Sequence, residues 1–575
     1  MTSIKNTLTN LFKTAIHSAF GLDIDPFIQL AGRPEFGDYQ ANFALRLAKQ
    51  LQKKPIDIAK SVIEALPSQS IFQKLEPSGP GFINITLTDD FLEHHLQQLI
   101  TDDRLGVNKV STPQTTVVDY GGANVAKEMH VGHLRSAIIG DAIVRLLDFT
   151  GHKVIRQNHL GDWGTQFGML IEYLIDIGWQ PNQLHSYSDL NTLYRKAKQR
   201  FDEDANFADR ARSRVVTLQS GEETSRAIWQ QLVDESKHHF HLVYKKLGIL
   251  LTEADASGES FYNDMLTDLV KDLEERNIAS IDAGALVIFL DGFVDPDGKP
   301  LPFLIRKSDG GYLYATTDLA AIKYRIGKLN ARRVIYVVDA RQKQHFSMLF
   351  AAANKANWVH ENTQLEHVAY GAVLGENHKP FKTRSGEAVK LNDLLDEAEK
   401  RAAEVISQKH PELAPEELSQ IARTVGIGAL KYADLRGDKI KDYVFSWEKM
   451  LAFDGNTAPY LQNAYVRIFS IFRKGNIDLA TVKQEAIHLS APIEHTLSIK
   501  ISEFPDVIDS ITQNLNLHSL CDYLYDLAGT FHRFYEHCPV LNDPNSNSRL
   551  LLCDLTARTL KSGLSLLGIN VSEKM

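Results

Sequence analysis

Residues 115–157 constrain the fold more than any other stretch. TTVVDY (115–120) has the apolar run of a strand buried on both faces. A glycine-rich loop, GGANVAKEMHVGH, follows it. HLRSAIIGDAIVRLLDFTG (133–151) then shows helical apolar spacing and ends on a glycine suited to a helix C-terminus. HKVIRQNHLGD returns to a strand that ends in polar residues. Strand, helix and strand form a βαβ unit, which commits the chain to a parallel sheet. RVIYVVDA (333–340) and HVAYGAVLG (367–375) supply two more buried strands, with a helical segment between them. Ligands of such sheets bind at the C-terminal ends of the strands, so the loop after residue 120 is the first place to look for chemistry.

A chain of 575 residues is too long for one core. Residues 1–105 read as a small α+β domain, with amphipathic helices near 3–20 and 40–65 and a strand, GFINITL, at 81–87. Residues 106–415 read as a Rossmann-like parallel-sheet domain, interrupted at about 180–295 by a charged, largely helical insertion. ALVIFLDGF (285–293) and PLPFLIR mark the return to strands. Strand signals fade after 415, so 416–575 is expected to be all-helical. The fold class is therefore α/β and multidomain. The net charge of −9 argues against a uniformly basic surface and leaves a local basic patch open. The three cysteines, Cys521, Cys538 and Cys553, form no C-x-x-C pair. No structural zinc is expected, and the sparse set fits a reducing, cytoplasmic compartment. No apolar run is long enough for a bilayer, so no membrane partner is expected. The opening MTSIKNTLTNLFKTAIHSAF is poor in acids but lacks arginine, and reads as the first helix of a domain.

The loop at 121–133 offers glycines for close backbone approach, then Lys127, His130 and His133 at the start of a helix. A helix N-terminus favours anions, and residues three apart share a face. Together these suit a phosphate chain that gains charge in a transition state. An H-x-x-H pair by itself serves equally well as structure. As a metal pair it lacks the H-E-x-x-H arrangement, and no G-x-x-x-x-G-K-[ST] loop occurs anywhere.

HVGH at 130–133 resembles the "HIGH" signature of class I aminoacyl-tRNA synthetases. The longer VVDYGGANVAKEMHVGHLRSAIIGDAIVRLL resembles the arginine-specific family in particular. So do NHLGDWGTQFG (158–168), DYVFSWEKMLAFDGNTAPYLQNAYVRI (442–468) and the ending GLSLLGINVSEKM. The matches run from GDYQANFAL near the N-terminus to the last residues.

The resemblance implies a two-step ligase. The arginine carboxylate attacks the α-phosphate of ATP, with Mg2+ accompanying the nucleotide, and a terminal ribose hydroxyl of tRNA(Arg) then takes the aminoacyl group. It implies that His130 and His133 stabilise the phosphates and that Gly132 lets adenine or ribose pack closely. The second class signature, KMSKS, corresponds to FKTRS at 381–385. Phe381 replaces its first lysine and Arg384 its last, leaving Arg384 as a catalytic candidate and Lys382 as a nucleotide-binding one. Lys127 is expected to replace the missing loop cation; otherwise it is a solvated loop lysine.

A guanidinium is best held by carboxylates through paired, charge-assisted hydrogen bonds. By resemblance, Asp119, Asn124, Tyr314, Asp318 and Gln342 contact the amino acid. Each has a plainer reading: Asp318 as a helix N-terminal charge, Tyr314 as core, Gln342 as part of a cap. The helical domain resembles the family's anticodon-binding domain, with Tyr460, Gln462, Asn463, Tyr465 and Arg467 on the face offered to RNA. Tyr39 and Gln40 in the N-terminal domain are further tRNA candidates. Arg436, Lys439 and Lys441 either meet the RNA backbone or form a solvated basic turn. No DNA partner is expected, and the family expectation is a monomer. Two rival functions remain at this point: a small-molecule adenylyltransferase, and a synthetase-like protein that binds RNA without catalysis.

Overall fold

The computed structural model describes residues 2–67, 70–179, 187–381 and 389–575. They fall into two compact units. One comprises Met1–Lys109, Ala452–Ser565 and Asn570–Met575; the other comprises Val110–Leu451 and Leu566–Ile569.

The first unit begins with the helix Ile4–Phe20, whose N-terminus is capped by Ser3 Oγ accepting from the Asn6 N–H at 3.2 Å. Ile4, Leu8, Phe12, Ala15 and Ile16 form one face of it and are buried. They pack on an antiparallel sheet of β1 (Ile28–Leu30), β2 (Tyr39–Ala41), β3 (Phe72–Ser78) and β4 (Phe82–Leu87), in the order β1-β2-β4-β3. Only β4 is legible as an alternating strand. β3, FQKLEPS, is polar and contains Pro77, which its edge position tolerates. The helices Ala458–Lys474, Pro492–Ser502, Phe504–Asn514, His518–His537 and most of Ser546–Leu566 complete this unit. Arg558 donates to the carbonyls of Ile100 and Asp102 at 2.8 and 2.6 Å. His495 joins Asp38 and Asp89 at 3.1 and 2.7 Å.

The second unit holds the parallel sheet. β5 (Thr115–Asp119) pairs with β6 (Lys153–Gln157) on one side. On the other side it pairs with β10 (Arg333–Asp339), which pairs with β11 (Gln364–Tyr370). The helix Val131–Phe149 connects β5 to β6. The chain leaves β5 and β10 in opposite directions across the sheet, so a crevice opens at their C-terminal ends. The insertion is built of the helices Tyr187–Glu203, Ala205–Gln219, Glu223–Leu247 and Asn263–Glu275. The strands after it, β7 (Ser280–Asp282), β8 (Ala285–Val294) and β9 (Pro300–Arg306), form a separate antiparallel sheet instead of joining the parallel one.

The structure divides the chain differently from the sequence boundary at 415. The helix Pro415–Leu435 and a short strand β13 (Tyr443–Val444), paired with β12 (Val373–Leu374), belong to the parallel-sheet unit, which runs to Leu451. A buried ion pair, Arg135 Nε to Asp434 Oδ1 at 2.8 Å, ties this helix to Val131–Phe149, a contact that helical periodicity does not reveal. Among the described residues, no helix is long and apolar enough to cross a membrane.

Candidate active site

The loop after β5 is held from several sides. The Gly121 N–H donates to Ser136 Oγ and the Gly122 N–H to Asn158 Oδ1, both at 2.9 Å. Ala126 takes a left-handed conformation, φ 63°, and its N–H donates to Ser236 Oγ at 3.0 Å. A non-glycine residue in that region stores strain, which sits one residue before Lys127.

His130 is the N-cap of the helix Val131–Phe149. The Gly132 N–H donates to His130 Nδ1 at 3.0 Å, and the His130 N–H donates to His133 Nδ1 at 3.1 Å. A backbone N–H can only donate, so both Nδ1 atoms must accept. The proton of each neutral ring therefore sits on Nε2. Burial, Lys127 and Arg341 lower the pKa of His130; burial and the neighbouring His130 push His133 down to about 3. Both rings are neutral near pH 7, each with an Nε2–H available for an anion, and their centroids are 4.1 Å apart. A Cβ on residue 132 would lie 2.7 Å from His130 Cε1, so a glycine there lets the ring fold over the backbone. The Lys127 ammonium lies 4.8 Å from the centroid of the Tyr194 ring.

Lys382 and Arg384 lie outside the described residues. Their neighbours are informative: the Val131 N–H donates to Val389 O at 3.0 Å, the Leu391 N–H donates to Met129 O at 2.9 Å, and Lys390 pairs with Glu128 at 2.9 Å. The segment following FKTRS is thus strapped to the HVGH loop. Phe381 stacks on Phe445, centroids 4.6 Å apart. The residue that stands in place of the first signature lysine is a packing residue.

A cavity of about 420 Å³ lies beside the helix Tyr314–Gly327, lined by Trp163, Glu259, Asn263, Tyr312, Tyr314 and Thr317, among others. Tyr314 is 59% exposed at its rim, so the core reading of that residue fails. Asp318, one turn on, accepts from His345 at 2.7 Å and lies 3.7 Å from His159 Nε2. Gln342 is exposed and stands at the N-cap position of the helix carrying His345, without a side-chain capping bond. Asn124 is exposed and bridges Gly161 through the backbone. Asp119 is different. Its carboxylate is taken by the fully buried Arg325 at 2.8 Å and by the His159 N–H at 3.3 Å. In this structure it is engaged in an internal ion pair.

The sequence reading missed Glu259. Burial, and then the carboxylates of Asp318 and Asp162, raise its pKa to about 8. Asp162 in turn accepts from both the N–H and the hydroxyl of Ser260, at 2.8 and 2.6 Å, fixing the short turn that carries Glu259. No local pattern marks this acid; the insertion folding back beside Asp318 brings it in.

In the first unit, Tyr460 meets the rings of Tyr525 and His532 at 5.4 and 5.2 Å. Arg467 donates to His532 at 3.1 Å, and its guanidinium lies 5.8 Å from the Tyr535 ring. The helix His518–His537 thus adds three rings to this basic, aromatic patch. Positions 525 and 532, seven apart, are a helical repeat that the sequence offered. The other RNA candidates are less exposed. Tyr39, Gln462 and Tyr465 are only 1%, 1% and 2% exposed and belong to the interior; Gln462 donates to Asn570 O at 2.8 Å. Gln40 is half-buried and pairs with Asn84 at 2.8 Å. Lys439 is half-buried beneath the end of β11, where its carbonyl accepts from the Gly371 N–H at 2.9 Å.

Three family models match the chain: "tRNA synthetases class I (R), catalytic domain" over residues 95–447, "DALR anticodon binding domain" over 461–575, and "Arginyl tRNA synthetase N terminal domain" over 6–87. The arginine–tRNA ligase of a Synechococcus species is 49% identical over 582 residues, covering 99% of each chain. That of Laribacter hongkongensis is 49% identical over 575 residues, covering 99% of this chain and all of its own. Among solved structures, the arginyl-tRNA synthetase of Plasmodium falciparum superposes with a TM-score of 0.84 at 34% identity. That of Thermus thermophilus superposes with a TM-score of 0.82 at 25% identity, and both cover 100% of either chain. Full-length likeness of this depth, together with three family models that between them span residues 6–575, places the chain in the arginyl-tRNA synthetase family.

Proposed function

We propose that this protein joins L-arginine to tRNA(Arg) at the expense of ATP, through an arginyl-adenylate. The observation that carries the reading is the presence, in one compact unit, of two neutral Nε2–H donors at the helix start after β5 and of a cavity with Glu259 in its lining. The arginine carboxylate oxygen attacks the α-phosphorus, the bond to the bridging oxygen breaks, and pyrophosphate leaves with its Mg2+. A terminal ribose hydroxyl then attacks the aminoacyl carbonyl, and AMP departs. No covalent enzyme intermediate is needed, so the protein contributes positioning and charge stabilisation. His130 and His133 donate to phosphate oxygens as charge builds. Lys127, whose charge is felt by both rings, supplies the cation that Phe381 does not.

Glu259 in the cavity lining and Asp318 near it receive the guanidinium, with Tyr314 at the mouth. A neutral side chain there could not displace the Glu259 proton or give Asp318 a cationic partner of its own, so discrimination comes from binding alone. Lysine lacks the planar fork. The Tyr460–Arg467–Tyr535 patch receives unstacked anticodon bases. We further propose that the enzyme works as a cytoplasmic monomer. The deciding experiment measures attachment of each of the twenty amino acids to total bacterial tRNA with MgATP. Arginine alone is expected to be attached; attachment of another amino acid, or of none, overturns the reading.

A further inference from the structure

The second unit takes in four residues from the far end of the chain, Leu566–Ile569. Leu567 and Ile569 are buried, and between them Gly568 has φ 69°. Its carbonyl accepts from Lys431 Nζ at 2.7 Å, and Lys431 is 1% exposed. A Cβ on residue 568 would lie 2.9 Å from that ammonium and 3.3 Å from both Arg145 Nε and Asp141 Oδ2. The tail is therefore seated by shape as well as by a hydrogen bond, and no side chain is accommodated at its centre.

What it is seated on matters. Asp141 and Arg145 pair at 2.7 Å on the helix that begins with His130 and His133. Asp141 also accepts from the Leu250 N–H at 2.6 Å. Lys431 lies on the helix Pro415–Leu435, three residues before Asp434, whose carboxylate holds Arg135 on the same signature helix. Arg135 further donates to the carbonyls of Gly371 and Lys441 at 2.7 and 3.0 Å. One helix thus grips the signature helix through Arg135, two residues past His133, and holds the chain's tail through Lys431. Burial pushes the Lys431 ammonium down to about 8, opposed by Asp141, so its charge depends on the few partners it has.

We propose that the carboxyl-terminal segment Leu567–Ile569 is a positioning element for the synthetase reaction, acting through Lys431 on the helix that carries His130 and His133. The segment touches no substrate. This rests on the function proposed above.

The test uses full-length protein with Lys431→Met, Gly568→Ala and the double variant. Gly568→Ala lies on the tail and keeps the test informative if removal of a buried lysine costs folding. Wild type is assayed first; absence of arginine-dependent ATP–pyrophosphate exchange with tRNA present would defeat the functional reading, not this proposal. Given activity, each single variant should lose at least tenfold in kcat for exchange or gain as much in the KM for ATP. The KM for arginine and the dissociation constant for tRNA should stay within twofold. The double variant should be no worse than the poorer single one, because both break one contact. Exchange at the wild-type rate in variants whose melting shows them folded, or single losses that simply multiply, would overturn the proposal.

Discussion

Glu259 offers the sharpest quantitative prediction. Its carboxyl is raised to about 8 by burial and by Asp318 and Asp162, with His159 and His345 on the far side of Asp318. At pH 7 a group with that pKa is about nine-tenths protonated, and taking its proton off costs about 1.4 kcal/mol. A guanidinium binding there must displace that proton. The free site then holds more protons than the complex, so affinity for arginine rises with pH. From pH 7 to 8.5 the KM for arginine should fall about eightfold, and above that flatten. Glu259→Gln removes one partner of a buried charged contact, worth about 2–5 kcal/mol, and also the deprotonation cost. The net loss is about 1–3 kcal/mol, raising KM about five- to 150-fold at pH 7. The variant's KM should also be flat with pH. Pyrophosphate exchange at saturating ATP and tRNA, run from pH 6.5 to 8.5, measures both. A flat wild-type profile, or a Glu259→Gln profile with the wild-type slope, would refute the reasoning.

Three further outcomes are expected. Lys127→Ala should lower kcat for charging about hundredfold or more, as removal of a single transition-state donor does, with little change in melting temperature; a normal rate would end its role as the replacement cation. Arg325→Met should leave Asp119 buried and unpaired and destabilise the protein by about 3–5 kcal/mol, read from urea unfolding; a loss under 1 kcal/mol would show the pair to be dispensable. His495, lifted to about 9 against the pull of burial by its bonds to Asp38 and Asp89, contributes stability that is complete below its unfolded pKa near 6.5. That contribution, about 1–3 kcal/mol, should drain away as pH rises from 6.5 through 9, and a His495→Gln variant should lose that slope in thermal melts.

Much of this was open to reading from the chain alone, for identifiable reasons. TTVVDY, RVIYVVDA and the helix after HVGH carry their burial in consecutive residues, so periodicity exposes the parallel sheet and the crevice at its edge. The loop histidines are legible because both lie within four residues of a helix start. Tyr314 and Asp318 are legible as a helical pair. Tyr39, Gln462 and Tyr465 misled because an amphipathic aromatic or amide reads the same whether it faces RNA or the interior, and only packing decides. The ion pair of Asp119 was not legible at all, because its partner, Arg325, stands 206 residues away.

The sequence by itself determined the class of fold, the place of the glycine-rich HVGH loop between β5 and its helix, and the family, since these rest on local apolar periodicity and on ordered motifs. The tertiary structure alone decided the tautomer of the two histidines, which follows from backbone N–H groups that point at Nδ1. It alone decided the raised pKa of Glu259, which follows first from burial and then from two carboxylates on other segments. It also decided where the helix Pro415–Leu435 and the final residues belong. Each of these is set by charges and carbonyls brought together from distant parts of the chain in a medium too dry to screen them, and no short window of sequence contains both partners.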